Sequence, residues 1–265
     1  MTAATTTSPS SDLAPYEVVA AETLDEIEAV SALQAEIWGS PQIAAPSTLL
    51  HVIAEAGGVV LLARTAGRPI GFAYGFVGRT PEGFNYHRSH AAGVLPEFRN
   101  SGIGRALKEA QRRAVLATGM DRVVWTFDPT QVRNAYFNLR RLGATARGFR
   151  GDYYGQRQDA LSHGLPTDRL IVEWFLGERE RTALARLRRR DNLVCVGVPE
   201  GLPGETGADL GRLRELQGLL RKGLESALAR GLQAIDFDPD TRSYRFAELP
   251  ASFPSPAESR SVSSN

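Results

Sequence analysis

Apolar positions along this chain recur with two periods, and the places where the period changes divide it into elements. Leu24, Ile27, Val30, Leu33 and Ile37 stand three or four residues apart, which gathers them on one side of a helix over residues 23–38. Thr23 and Glu26 supply a capping box at its start. A short strand over residues 16–20 precedes this helix, and a shorter helix follows Pro46. Residues 58–64 and 70–77 are apolar runs joined by Ala66-Gly67-Arg68-Pro69, which reads as a hairpin turn, and a third run follows at about residues 88–95. The helical period returns over 103–116, where Ile103, Ala106, Leu107, Ala110, Ala114 and Val115 share one side, and stops near Gly119. Residues 123–127 read as a strand that Asp128-Pro129-Thr130 breaks. The helix after it has Ala135, Leu139 and Leu142 on one face and Gly143 past its end. A strand over 170–176 closes the region.

Beyond Gly177 the character shifts to a basic helix over 178–190, a strand over 193–198, a Gly/Pro loop, a helix over about 208–230, and two strands around Asp238-Pro239-Asp240. Residues 178–249 are therefore read as an α+β extension to a main domain over 16–177, and no internal repeat is found. The ends, 1–15 and 250–265, are rich in Ser, Thr, Ala and Pro and are expected to be disordered tails, because such a composition buries too little to offset its ordering entropy.

Composition narrows the classes. With 265 residues, 42% of them hydrophobic, the chain can bury one good core and a small second one. A net charge of +1 gives no global field directed at nucleic acid or membrane. The basic residues are nearly all arginine, the only lysines being Lys108 and Lys222. A single cysteine, Cys195, excludes an internal disulfide and a cysteine-rich metal site; flanked by Leu193, Val194, Val196 and Val198, it is expected to be a buried strand thiol. No run reaches the eighteen or so apolar residues of a membrane helix, and the N-terminus lacks a basic start and an apolar segment, so a cytoplasmic location is expected.

Candidate chemistry concentrates in Gly93-Val94-Leu95-Pro96-Glu97-Phe98-Arg99-Asn100-Ser101-Gly102-Ile103-Gly104, where an apolar run ends in a glycine-rich turn that opens a helix. Gly102 and Gly104 lack a Cβ, and the first N–H groups of the helix have no partner within it, so the turn can cradle a phosphate. It is not a Walker loop, since Arg105 and Ala106 stand where that loop needs Lys and Ser or Thr, and Leu107 occupies the third small position of a dinucleotide fingerprint. What remains is Arg-x-x-Gly-x-Gly.

Arg99 to Gly104, preceded by Gly-Val-x-Pro-Glu and followed by Ala106 and Leu107, resembles motif A of the GNAT superfamily of acyl-CoA-dependent N-acyltransferases. The order of elements over about 16–176 is similar to that family's. Ser89-His90, Trp125-Thr126-Phe127-Asp128-Pro129, Asn134-Ala135-Tyr136-Phe137-Asn138-Leu139, Leu165-Pro166-Thr167-Asp168-Arg169 and Glu173-Trp174 further resemble a branch with a C-terminal extension that includes amino-acid N-succinyltransferases. The resemblance implies an α/β fold with a mixed α+β sheet, acetyl-CoA or succinyl-CoA as acyl donor, and no metal. It implies a small-molecule amine, such as an amino acid, as acceptor, with a homodimer as the one assembly considered and neither nucleic acid nor membrane as partner.

Carried over residue by residue, the resemblance places coenzyme A pyrophosphate on Arg99, Asn100, Ser101, Gly102, Ile103 and Gly104, and backbone N–H groups of Val94 and Leu95 toward the thioester. His90, four residues before Val94 and so on the same face of a regular strand, is a candidate base, with Asp128 and Glu173 as alternatives. The tyrosine that many family members carry four residues before the glycine ending this helix is here Leu139, which leaves Tyr136, Tyr153 or Tyr154 as candidate acids. Asn134 and Asn138, four apart, are expected to share a helix face and to bond the pantetheine arm or the acceptor. Arg88, Arg147, Arg150 and Arg169 are candidates for pairing with a carboxylate. Two rival readings are an acyl-CoA-binding module without turnover and a protein N-acetyltransferase.

Overall fold

The computed structural model describes residues 5–7, 15–80, 82–155, 164–203 and 209–257. The remainder of the expected tails, 1–4, 8–14 and 258–265, lies outside the described residues. The chain divides into two compact units, Met1–Val123 and Val124–Asn265. The boundary expected after Gly177 falls inside the second.

The first unit is an antiparallel ladder in chain order, β1 (Thr5–Thr7), β2 (Tyr16–Ala20), β3 (Val59–Thr65), β4 (Arg68–Arg79) and β5 (Asn85–Val94), with helices α1 (Leu24–Trp38), α2 (Ser47–Glu55) and α3 (Ile103–Ala117). The capping box of α1 is formed: Thr23 Oγ1 accepts the Glu26 N–H at 3.3 Å, and Glu26 Oε2 accepts the Thr23 N–H at 3.2 Å, a device of about 1 kcal/mol. Ala66 and Gly67 both take positive φ, 46° and 79°, the geometry a two-residue hairpin turn requires. Ile27, Val30 and Leu33 of α1 and Leu50 of α2 bury against Val60, Leu62, Phe72 and Tyr74 of the sheet. On the opposite side of β4, a Cβ added to Gly71 would stand 3.3 Å from Leu107 Cδ1 of α3. The sheet of this unit thus has an α1 face and an α3 face.

In the second unit the strand order is β6 (Arg122–Phe127), β8 (Arg169–Phe175), β7 (Thr145–Arg150), β10 (Leu232–Asp238), β11 (Ser243–Glu248) and β9 (Val194–Gly197). Its helices are α4 (Val132–Ala135), which runs into a π turn over Tyr136–Arg141, then α5 (Glu178–Leu187) and α6 (Leu210–Ala229). Strand β7, absent from the sequence reading, pairs antiparallel with both β8 and β10. Asp168, 1% exposed, receives a two-pronged bond from Arg221 of α6, with Nε at 3.0 Å from Oδ2 and Nη2 at 2.5 Å from Oδ1.

Two expectations are corrected here. Cys195 is exposed, because β9 is the last strand of the order and its side chains alternate between half-buried and exposed. Residues 250–257, expected to begin a tail, pack instead: the Phe253 ring meets Phe175 edge-on at 5.2 Å, Pro254 O accepts from Arg147 Nη1 at 2.8 Å, and Ala257 is 2% exposed. Among the described residues no helix is long and apolar enough to cross a membrane, and no cluster of three or more His, Cys, Asp or Glu could hold a metal ion.

Candidate active site

The glycine-rich turn has the backbone of an anion cradle. Asn100 and Gly102 both lie in the left-handed region, at φ 65° and 90°, and Gly102 is the N-cap of α3 with no side chain capping the helix. Ser101 Oγ donates back to Phe98 O at 2.5 Å, which fixes the turn from behind. The first turn of α3 has no acidic residue to compete for its N–H groups. A group bearing phosphate oxygens matches such a helix end, where unpaired donors and the positive end of the macrodipole coincide. Arg99 Nε donates to Val94 O at 3.3 Å, bringing a guanidinium beside the end of β5.

Val94 and Leu95 separate. Leu95, 1% exposed, gives its N–H to Ile70 O at 3.0 Å, so this group is spent on the ladder and is withdrawn as an oxyanion donor. By the alternation of antiparallel pairing, Val94 then directs its N–H away from β4. Of the two N–H groups, the one spent on β4 is that of Leu95.

His90 corrects a second expectation. Tyr74 pairs with Ala91 and Gly75 with Ser89, so His90 opposes no residue of β4 and is the extra residue of a β-bulge. The strict two-residue alternation therefore fails across it. His90 lies beside the rings of Tyr74 and Phe76, at 5.4 and 6.0 Å, and Ala91 packs on the same α1-face cluster. Val94 lies on the α3 face, within reach of a Cβ at Gly71 that would also touch Leu107. His90 and Val94 thus project to opposite faces. Arg88 sits directly across from Phe76 and shares the α1 face with His90. Although His90 is exposed, partial desolvation of its ring, and then the Arg88 charge, hold its pKa below the ordinary 6.5.

Behind β5, on the α3 face, lies a polar group that the sequence did not reveal. Lys108 Nζ donates to Ser89 Oγ at 3.0 Å and to Gln111 Oε1 at 2.7 Å, and Gln111 Nε2 is 3.2 Å from His87 Nε2. All four side chains are buried, and His87 Nδ1 has no hydrogen-bond partner among the described residues. Burial lowers the Lys108 pKa to about 7; burial and then the Lys108 charge lower that of His87 to about 4. The only signal in the sequence was a rare lysine three residues before a glutamine on the apolar side of α3.

The candidates in the second unit are placed as follows. Asp128 Oδ1 accepts both the N–H and the hydroxyl of Thr130, each at 2.8 Å, and so shapes the turn after β6. Tyr136 is half-buried at the first position of the π turn. In that turn the N–H of Leu142 reaches back five residues to Phe137 O, at 2.9 Å, and the wider winding separates positions four apart. Asn138 is consequently buried while Asn134 is exposed, so the two do not share a face. Leu139 is fully buried core. Glu173, 1% exposed, accepts from Arg147 Nη1 at 3.1 Å and from the Ala257 N–H at 2.7 Å; with both oxygens held by the unit's own donors, it is withdrawn as a candidate base. Arg147 is engaged in the same pair. Arg150 bonds Phe149 O, and Arg169 bonds Asp168 O and lies over the Tyr154 ring. Tyr153 and Tyr154 pack on each other edge-to-face at 4.7 Å.

A model of the Acetyltransferase (GNAT) family matches residues 27–144. The match covers less than half of the chain, and over those residues the sequence is similar to the GNAT acetyltransferase family. No curated protein matches the chain. Among solved structures it is similar to the ribosomal-protein-S18-alanine N-acetyltransferase of Escherichia coli, with 15% identity over 62% of this chain and 97% of that one and a TM-score of 0.49. A ribosomal-protein-alanine N-acetyltransferase of Brucella melitensis gives 22% identity over 60% and 99%, with a TM-score of 0.49. YncA of Salmonella typhimurium, solved with its cofactor acetyl-CoA, gives 18% identity over 62% and 95%, also with a TM-score of 0.49. The matched segment contains the cradle, His90, Val94, Asp128 and Tyr136, and excludes Glu173, Arg147 and everything beyond.

Proposed function

We propose that the chain transfers an acetyl or succinyl group from a coenzyme A thioester to the primary amine of an amino acid or similar small molecule. Residues 16–177 would form the catalytic domain, with 178–249 as an extension to it. The observation that carries this reading is the cradle: an uncapped helix N-terminus behind two left-handed residues, with Arg99 alongside, in a segment of GNAT type. Arg99 and the backbone of 100–104 would hold the pyrophosphate. Acyl-CoA, when bound, supplies an acyl carbon activated by its thioester. The Val94 N–H, directed away from β4, would donate to the acyl oxygen, and His90, its pKa lowered by desolvation, would take the proton that the attacking nitrogen loses as the C–N bond forms and the C–S bond breaks. Arg88, on the same face as His90, is suited to pair with the carboxylate of an amino-acid acceptor. Asp128, in its turn, is kept as the alternative base, and Tyr136 as the acid.

Binding is tested by thermal shift with free, acetyl- and succinyl-CoA. A ligand at a hundred times its Kd adds about 2.7 kcal/mol to stability, and that increment is expected in the wild type and reduced in Arg99→Ala. No shift with any coenzyme A species at saturation would end the assignment. The burial of Leu139, where many family members have a catalytic tyrosine, favours as second reading a binder without turnover; sustained thiol release with an amine present excludes it. Comparing free amino acids with peptides as acceptors separates small-molecule from protein acylation.

The pH profile tests the base. Because the His90 pKa is lowered, the imidazole stays neutral to more acidic pH, and kcat/KM should rise with pH along a limb whose midpoint lies below 6.5. His90→Gln should lose that limb and about two orders of magnitude in rate.

A further inference from the structure

We propose that Lys108, Ser89, Gln111 and His87 form a register lock behind β5, and that Ser89 and Lys108 are positioning residues that hold the His90 imidazole on the α1 face. The catalytic consequence rests on the reading of His90 as the base; the placement itself does not.

The register of β5 against β4 changes at one point. From Gly71 to Tyr74 the partners run from Val94 to Ala91, and from Gly75 onward they run from Ser89, one residue having been skipped. Without the bulge, the first register would continue and pair Gly75 with His90 and Phe76 with Ser89. Every side chain from 85 to 90 would then exchange faces, because the strand period is two. His90 would point at α3, while His87 and Ser89 would turn away from it.

Among the residues that would exchange faces, the one large apolar side chain is Tyr86, whose buried ring lies over Gly78 and resists the slip from the far end of the strand. Next to the bulge itself the discrimination is made by polar contacts. The bonds from Lys108 to Ser89 and from Gln111 to His87 can form only when Ser89 and His87 face α3. In the slipped register the buried amine would lose the Ser89 hydroxyl, and the Gln111 amide would lose the imidazole, so two buried hydrogen bonds are given up. The anchors lie on the N-terminal side of the bulge and the ladder continues on its C-terminal side to Leu95, so the extra residue is confined at His90.

The test is an NMR titration of the histidine ring C–H signals of the full chain, whose four histidines are assigned with His90→Gln, together with kcat/KM across pH. In Ser89→Ala the His90 midpoint should move further down, because the ring turns toward the buried Lys108 amine, its ring contacts with Tyr74 and Phe76 should weaken, and kcat/KM should fall at least tenfold while the coenzyme A thermal shift stays unchanged. Ser89→Thr, which restores the hydroxyl, should return both readouts to within about threefold of wild type, and Lys108→Met should reproduce the weakening of the His90 ring contacts. An unmoved His90 titration and unmoved ring contacts in folded Ser89→Ala and Lys108→Met would overturn the lock, as would failure of Ser89→Thr to rescue. Full turnover in His90→Gln would instead remove the base reading and leave the NMR test of the lock intact.

Discussion

Replacing Lys108 by methionine is expected to abolish a rise in stability between pH 7 and about 9.5 that the wild type shows. The Lys108 amine is enclosed between α3 and β5, and burial lowers its pKa from 10.5 to about 7. Over that interval the unfolded chain carries a proton on the amine that the folded chain has released, so raising the pH favours the folded state. Below pH 7 both states are protonated, and the full penalty of burying the charge is present. A difference of this size corresponds to roughly 4–5 kcal/mol if the whole interval to 10.5 is traversed. The window is best closed at about 9.5, because Tyr244 is buried with its pKa raised by desolvation and by the Asp128 charge, and such a phenol contributes the opposite slope above its ordinary value. Urea unfolding of wild type and Lys108→Met at matched pH values measures the difference. Methionine leaves Ser89 and Gln111 without their donor, at about 1 kcal/mol each, but that cost does not vary over the window. Parallel stability curves for the two proteins would show that the amine does not titrate in this range.

Gly75→Ala is expected to destabilise the chain by about 3 kcal/mol or more, the upper range for forcing atoms into a packed site, and to take turnover with it. The new Cβ would overlap Arg88 O outright and would fall 2.5 Å from His87 Nε2 and 2.9 Å from Ser89 Cα. Two of those three atoms are backbone. The strand can relieve the overlap only by moving away at the residue next to the bulge, where His90 and the Ser89 anchor are set. Gly218→Ala, on α6, is the matched control: nothing lies within 4 Å of its added Cβ, and removing a mid-helix glycine should stabilise by about 0.5–1 kcal/mol. Equal behaviour of the two alanine variants in denaturant would contradict the crowding at Gly75.

The sequence made legible whatever depends on neighbours in the chain. The Thr23–Glu26 cap, the Ala66-Gly67 turn and the strand–turn–helix around Gly102 are local geometries, each specified by residue types a few positions apart. The bulge was not legible: Arg-Ser-His-Ala-Ala-Gly has no residue that announces an extra position, and its location is decided by contacts across β4 and α3. The assumption of unbroken alternation consequently put His90 and Val94 on one face. The π turn hid itself in the same way, since Asn134 and Asn138 share a face only if the winding stays at 3.6 residues per turn. Strand β7, with Arg147, Gly148 and Arg150 among its six residues, has no apolar run to mark it, and owes its place to the two strands it lies between. Glu173 looked like a candidate base because its partners, Arg147 and the N–H of Ala257, are remote in sequence.

The contact between Glu173 and Ala257 also bears on where the protein can be cut or fused. A chain ended at residue 249, where the last strand is complete and the composition turns to serine and proline, would discard the Phe253 ring and the Pro254 carbonyl, and would leave a carboxylate that had been sealed from water facing it with one donor fewer. Purification handles and reporter fusions belong after Ala257, and a protease that trims to Pro250 removes a piece of the second unit's interior rather than an ornament.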